Sequence, residues 1–487
     1  MMEVLGAVNR FVWGVPALLL IISVGVYLSM RTGWAQFRLF PAALQSFISS
    51  FRKNNDKNAI SPFRALCTAL AATVGTGNLA GVGGAIAIGG PGAIFWMWIC
   101  AFLGMVTKFA EATLSVHYRI KDSVGNFVGG PMYMAQQGLG HKWLPLSYVY
   151  CFFGVVAAFG VGSATQVNAV VGGIDGAVSA LGGQTTVKMN FLIGLILALL
   201  SVLVLLGGAK RIGEMSAFLV PFASVFYLIL CIGVLTICYE AIPQAIGAIL
   251  KGAFCPEAVS GGIVGSAFQV LRIGASRGVF TNEAGMGTAG IAHGAANVSH
   301  CVEQGLMGII EVFIDTIVIC TMTGLVILCS GIAIPYGQDL GIRITADAFS
   351  AVCGKWVYIP IAISLCCFAF ATILGWGLYG MRCAQFLFGE NAWKWFVVLN
   401  GISVVFGSVT RTGTVWMLSE TANGLMAIPN LIILLFLTPK LVGLVKEYIS
   451  IYGRKSVNGG TYENIKKFES MRSVTYAEIS SAGGKGS

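Results

Sequence analysis

Apolar stretches long enough to cross a hydrocarbon core of about 30 Å recur along the whole of this 487-residue chain. Eleven can be read, at residues 11–30, 64–86, 91–117, 149–172, 191–208, 213–238, 261–292, 304–333, 357–387, 394–412 and 420–446. Hydrophobic residues make up 56% of the chain and charged residues 10%, against roughly 25% charged in an ordinary soluble domain. A soluble fold of this length needs far more polar surface. The expected fold class is therefore all-α integral membrane, with 11 transmembrane helices. The 64 glycines suit helices that pack closely in lipid.

The net charge of +10 does not point to nucleic acid, because Lys and Arg lie in short segments between apolar spans. Arg31, Arg38, Arg52, Lys53, Lys57 and Arg64 follow the first span. Arg119, Lys121 and Lys142 follow the third, Lys210 and Arg211 the fifth, and Arg382 and Lys394 flank the turn after the ninth. Alternate loops carry only Lys188, Lys251, Arg343 with Lys355, and Arg411. This asymmetry predicts an N-terminus outside, a cytoplasmic C-terminus and an odd number of crossings. Phe11 to Met30 lacks a basic leader and a cleavage site, so it is expected to stay as a helix. The thirteen cysteines, Cys366-Cys367 among them, show no zinc spacing. Cys255 and Cys353 fall in loops expected outside, where a disulfide between them is one option.

Two spans are not ordinary helices. The second reads ALAATVGTGNLAGVGGAIAIGG from Ala69 to Gly90, and the seventh reads GASRGVFTNEAGMGTAG from Gly274 to Gly290. Glycine clusters mark places where a helix can unwind, and unwound backbone at membrane depth must be shielded by protein or line a wet cavity. With the first span set aside, ten remain as two groups of five, each opening with its glycine-broken member. Five is odd, so the second group enters from the opposite side, the arithmetic of an inverted repeat with a site near the midplane. The expected divisions are 1–63 for the extra helix and loop, 64–240 and 241–446 for the repeats, and 447–487 for a polar cytoplasmic tail. GTGNLAG lacks the spacing and the preceding strand of a dinucleotide fingerprint.

A helix break exposes amides that attract a carboxylate and carbonyls that attract a cation. Val74 to Gly77 offers these groups in the second span, and Gly274 to Gly285 in the seventh. Asn78, Gln166, Asn168, Thr372 and Trp376 are polar residues inside spans, the last two at i, i+4. Each also has a bland reading: Thr bonding its own helix, Asn or Gln joining helices, Trp packing. Lys108 and Glu111, one turn apart, are expected to pair locally. Glu311 and Asp315 share a helix face, which calls for a proton, a cation or an Arg such as Arg272 or Arg277. Glu283, beside Asn282, is a candidate latch between half-helices. The histidines His117, His141, His293 and His300 lie near span ends without ligand spacing.

GGPGAIFWMWICAFLG, from Gly89 to Gly104, resembles the signature of the alanine or glycine:cation symporter family. ALAATVGTGN, VTKFAEA, GGPMY, RGVFTNEAG, LGWGLYG and MAIPNL extend the resemblance to about residue 440. It implies a leucine-transporter-like fold of the amino acid–polyamine–organocation kind, two inverted five-helix repeats after one extra helix. It also implies import of alanine or glycine with Na⁺, less often H⁺. Carried across residue by residue, it makes Asn78, Gln166, Thr372 and Trp376 pocket residues, which join the break at Val74, Gly75, Thr76 and Gly77 as the expected substrate site. The carbonyls of Ala71 and Val74 with the hydroxyl of Thr372 become a Na⁺ site. Ala371 stands where relatives carry Ser, which removes one side-chain ligand.

The expected function is Na⁺-coupled uptake of a small neutral amino acid by alternating access in a bacterial or archaeal cytoplasmic membrane. No cofactor is expected beyond the coupling ion, and no partner beyond substrate, Na⁺ and lipid. Two rivals are an H⁺-coupled transporter of the same fold, through Asp315, Glu311 or Glu283, and an intramembrane sensor or enzyme.

Overall fold

The computed structural model of the protein describes residues 14–51, 60–256, 265–338, 341–410 and 413–457, with Gly6, Asn9 and Phe11 before them. Residues 261–264 of the expected seventh span, the charges Arg52, Lys53, Lys57 and Arg411, and the tail beyond 457 lie outside the described residues.

The described chain is helical apart from one antiparallel pair, β1 (Ile120–Lys121) with β2 (Phe127–Val128), and an isolated bridge from Ile60 to Ala296. Among the described residues, eight helices are long and apolar enough to cross a membrane. A ninth span arises if α3 (Pro62–Thr73) and the segment Gly77–Gly89, bent by 50° between them, count as one. The first apolar helix, α1 (Val15–Thr32), stops at Gly33, which takes the left-handed conformation (φ 65°) that a residue with a Cβ avoids. α2 (Phe40–Ser50) follows it. Ser61 caps α3 by accepting the Arg64 N–H at 3.2 Å, with Pro62 at the first helical position. After a π-helical turn at Gly77–Gly81 come α4 (Val82–Gly89) and α5 (Ala93–His117).

Then come α6 (Leu144–Phe159), a π turn at Gly160–Ala164, and α7 (Thr165–Ala180). Next are α8 (Val187–Leu205), α9 (Gly208–Ile237) and α10 (Ile242–Phe254). The second interrupted span is α11 (Ala267–Asn282) and α12 (Thr288–Gly294). α13 (Cys301–Val312) continues through a π segment, Phe313–Cys320, into α14 (Thr321–Cys329). The last four are α15 (Ile342–Cys353), α16 (Tyr358–Phe388), α17 (Ala392–Val409) and α18 (Gly413–Val457). Residues 1–441 form one compact unit; from Val442 the chain belongs to a second, whose described part is helical to Val457.

α2, α10 and α15 lie where the sequence suggests loops. Each is amphipathic and too short to span, so a search for long apolar runs passes over it. α5 is lined with glycine contacts. A Cβ on Gly308 of α13 would come within 2.8 Å of the Lys108 carbonyl, so only glycine lets these backbones approach. Gly274 and Gly278 serve the same purpose on α11. They lie within a continuous helix, with Gly274 against the Ala93 carbonyl and with Gly278 so placed that a Cβ there would stand 3.3 Å from Cys100 Cβ. The unwinding expected from Gly274 onward is therefore confined to residues 283–287. Cys255 and Cys353 are both free thiols.

Candidate functional site

The first break is short. Leu70 accepts the Val74 N–H at 2.8 Å, after which Val74 turns extended (φ −76°, ψ 98°). A continuous helix would send the Gly75 N–H back to the Ala71 carbonyl; here it goes to Asn78 Oδ1 at 2.8 Å. The carbonyl end of α3 is thus released at membrane depth, beside the start of a second half-helix. Two close approaches bring α16 against it. A Cβ on Gly75 would lie 2.6 Å from Thr372 Oγ1 and 3.7 Å from Gln166 Oε1, and one on Gly375 would lie 2.8 Å from the Ala72 nitrogen.

Gly75, Gln166 and Thr372 therefore converge. Thr372 donates its proton to the Phe368 carbonyl at 3.0 Å, which leaves the oxygen lone pairs as acceptors. Gln166 donates to the Val161 carbonyl at 3.0 Å, while its Oε1 is buried without a hydrogen-bond partner among the described residues. Gly77 packs on the second interrupted span, 3.3 Å from Thr281 Oγ1 by its absent Cβ.

Both ends of the Asn78 side chain bond within the protein. Its amide donates to Asp315 Oδ1 at 2.7 Å and to the Asp315 carbonyl at 3.1 Å, and its oxygen holds Gly75. From the other side Thr316 donates to Asp315 Oδ2 at 2.7 Å, and Asn282 donates to Thr316 at 3.3 Å while accepting the Ala284 N–H at 3.0 Å. A chain of hydrogen bonds thus joins the two breaks, with Asp315 accepting from both ends. Trp376 is fully buried and stacks edge-on to Tyr379, centroids 5.7 Å apart. Its indole N–H donates to Glu283 Oε1 at 2.8 Å, and Thr288 donates to Glu283 Oε2 at 2.7 Å. Glu283 does bridge the two half-helices, as a latch would. Asn168 stands apart, donating to the Gly407 and Thr410 carbonyls at 3.4 and 3.3 Å as helix-joining glue.

The second break is filled from within. Glu283, Gly285 and Gly287 have φ of 54°, 95° and 78°. Successive amides in such a path form an anion-binding nest. Glu111 Oε1 occupies it, accepting the N–H groups of Gly285 and Gly287 at 3.0 Å each and the Asn430 amide at 2.8 Å.

Two expectations about charge are corrected here. Lys108 does not pair with Glu111 one turn away; it reaches across to Glu311 at 2.8 Å. That lysine, rather than Arg272 or Arg277, is the cation that Glu311 required, and His293 Nε2 lies 3.0 Å from the other Glu311 oxygen. His293 in turn meets Gln304 at 2.6 Å. The cluster was invisible along the sequence because its members come from three helices, and a lone histidine near a span end gives no signal.

Two cavities lie toward the two ends of α16. One of about 470 Å³ is lined by Asp175, Arg343, Asp347 and Tyr358, and one of about 540 Å³ by Asp122, Lys210, Arg382 and Gln385. Thr372 and Trp376 fall near the middle of that helix, between them.

Residues 1–458 match the model of the sodium:alanine symporter family. The chain belongs to that family. It is 40% identical to the sodium/alanine symporter AgcS of Methanococcus maripaludis, over 94% of this chain and 99% of the relative. It is 34% identical to the amino-acid carrier protein AlsT of Bacillus subtilis, over 90% of each. Among solved structures it resembles MhsT, crystallised in complex with L-phenylalanine, with a TM-score of 0.56 and 14% identity over 80% of this chain and 99% of that one. The fold is thus leucine-transporter-like, and this sodium:alanine symporter family member is a multi-pass membrane transporter of the amino-acid:cation symport class, not an enzyme.

Proposed function

We propose that the protein imports a small neutral amino acid, alanine or glycine, together with Na⁺ across a bacterial or archaeal cytoplasmic membrane. The observation that carries this reading is the meeting of Gly75, Thr372 Oγ1 and the unpartnered Gln166 Oε1 at the first break. In it, the carbonyls of Ala71 and Val74 with the Thr372 hydroxyl hold Na⁺, hard oxygen donors for a small hard cation. A backbone carbonyl or water supplies the ligand that Ala371 lacks. The peptide dipoles of Val74 to Gly77 receive the substrate carboxylate, Gln166 Oε1 accepts from its ammonium, and Trp376 leaves room for a methyl side chain. Asn78 contributes by holding the break open through Gly75.

The proposed architecture has eleven crossings, the N-terminal helix and then inverted repeats over 64–240 and 241–446, N-terminus outside and C-terminus cytoplasmic. Each repeat opens with an interrupted span, at α3/α4 and at α11/α12, which supports it. The two cavities toward the ends of α16 suit alternate exposure of a central site. Cation and substrate each raise the other's affinity by the same factor, as linkage requires.

Radiolabelled alanine uptake into proteoliposomes tests this, with an inward Na⁺ gradient against choline. Uptake should follow the Na⁺ gradient; equal uptake in choline removes the Na⁺ reading. One observation favours H⁺ as a second reading: Asp315 is a buried carboxyl bonded toward both breaks. Uptake driven by a pH gradient without Na⁺, and lost in Asp315→Asn, would select it.

A further inference from the structure

We propose that Glu283 is a positioning residue that sets the size limit of the amino-acid site by fixing the indole of Trp376, an inference that rests on the reading above. Trp376 shares a helix face with Thr372, one turn away, and Thr372 abuts Gly75 at the first break. Its Cβ presses against Gly162 in the π turn between α6 and α7, where any side chain would collide. The inner edge of the ring lies there too, Cγ and Cδ2 being 2.7 and 3.2 Å from where a Cβ on Gly162 would stand, with Tyr379 edge-on beside it. The polar edge is held by the N–H, which donates to Glu283 Oε1 at 2.8 Å. A buried indole N–H without a partner is costly, so the ring keeps the orientation in which Glu283 receives it.

Glu283 is itself placed with unusual care. It is one of two non-glycine residues with positive φ among the described residues, Trp34 being the other. A residue with a Cβ enters that region at a cost, and the neighbouring turns at Gly285 and Gly287 use glycine instead. A side chain at 283 is therefore retained against backbone preference. Its second oxygen is tied to Thr288, the first residue of α12, so the carboxylate cannot swing away without loosening the break. Through this bond the second break, which makes no amide nest available to substrate, acts on the pocket wall of the first.

The test uses the full chain in proteoliposomes under a Na⁺ gradient, reading competition of alanine uptake by 2-aminobutyrate, valine and leucine. Glu283→Ala should improve competition by valine and leucine relative to alanine by up to about tenfold, the worth of one buried hydrogen bond. Trp376→Phe, which keeps most of the bulk and loses the N–H, should relax the limit in the same direction. The double variant should relax it no further than either alone, because both remove one bond. Glu283→Gln, which keeps an acceptor for the indole, should stay close to the original limit. Unchanged selectivity in an actively transporting Glu283→Ala, or effects that multiply in the double variant, would overturn the proposal. If Glu283→Ala does not insert, Trp376→Phe with the original size limit overturns it equally. Failure of the unsubstituted protein to couple alanine to Na⁺ would instead count against the functional reading.

Discussion

At Val74–Gly77 the chain leaves its helix through one extended residue and a glycine, and Asn78 takes up a single amide. At Glu283–Gly287 it runs through three residues of positive φ, and Glu111 takes up two amides together with Asn430. Both breaks come from glycine-rich sequence, and both lie where water cannot satisfy a backbone group. What separates them is whether the protein fills the break with its own carboxyl. The second break is occupied by Glu111 and becomes part of the scaffold, tied to α5 and α18. The first faces an unpartnered amide oxygen and a threonine hydroxyl, groups suited to a ligand that comes and goes.

The comparison can be broken most sharply at Gly75. Gly75→Ala should abolish alanine uptake while the protein still inserts, since the new Cβ would stand 2.6 Å from Thr372 Oγ1. Uptake near the original level, measured at matched expression, would mean that this contact is not the site. The buried ion pair comes next. Glu311→Gln leaves Lys108 charged and unpaired, and should lower stability by about 3–5 kcal/mol. Adding Lys108→Met should recover a large part, read as the melting temperature in detergent, and no recovery would show that the two do not act as a pair. The smallest of the three effects concerns the filled break. Glu111→Gln keeps one acceptor oxygen for the amides of Gly285 and Gly287, and should cost about 1–3 kcal/mol of stability with substrate affinity little changed. A large rise in alanine KM without loss of melting temperature would make the second break a ligand site after all.

Much of this was legible in the sequence, for identifiable reasons. Hydropathy located the eight helices that are long and apolar enough to cross a membrane among the described residues, because a lipid-facing helix must be apolar along its whole length. Glycine marked both interruptions, and Thr372 with Trp376 at i, i+4 placed two pocket candidates on one face. The same glycine signal overran at Gly274 and Gly278, since a glycine that admits a neighbouring backbone looks the same along the chain as one that unwinds its own. Lys108 and Glu111 were misread because helix spacing reports only local partners, whereas both side chains reach across to other elements. The occupant of the Gly285–Gly287 nest could not be found from spacing at all, lying 174 residues away.

The most direct measurement is the Na⁺ dependence of alanine uptake in Thr372→Val, a change that removes one hydroxyl and keeps the shape. With cation and zwitterion sharing the first break, the Na⁺ concentration for half-maximal uptake should rise about tenfold or more, the worth of one ligand to a charged group. An unchanged Na⁺ requirement in an actively transporting Thr372→Val would contradict it.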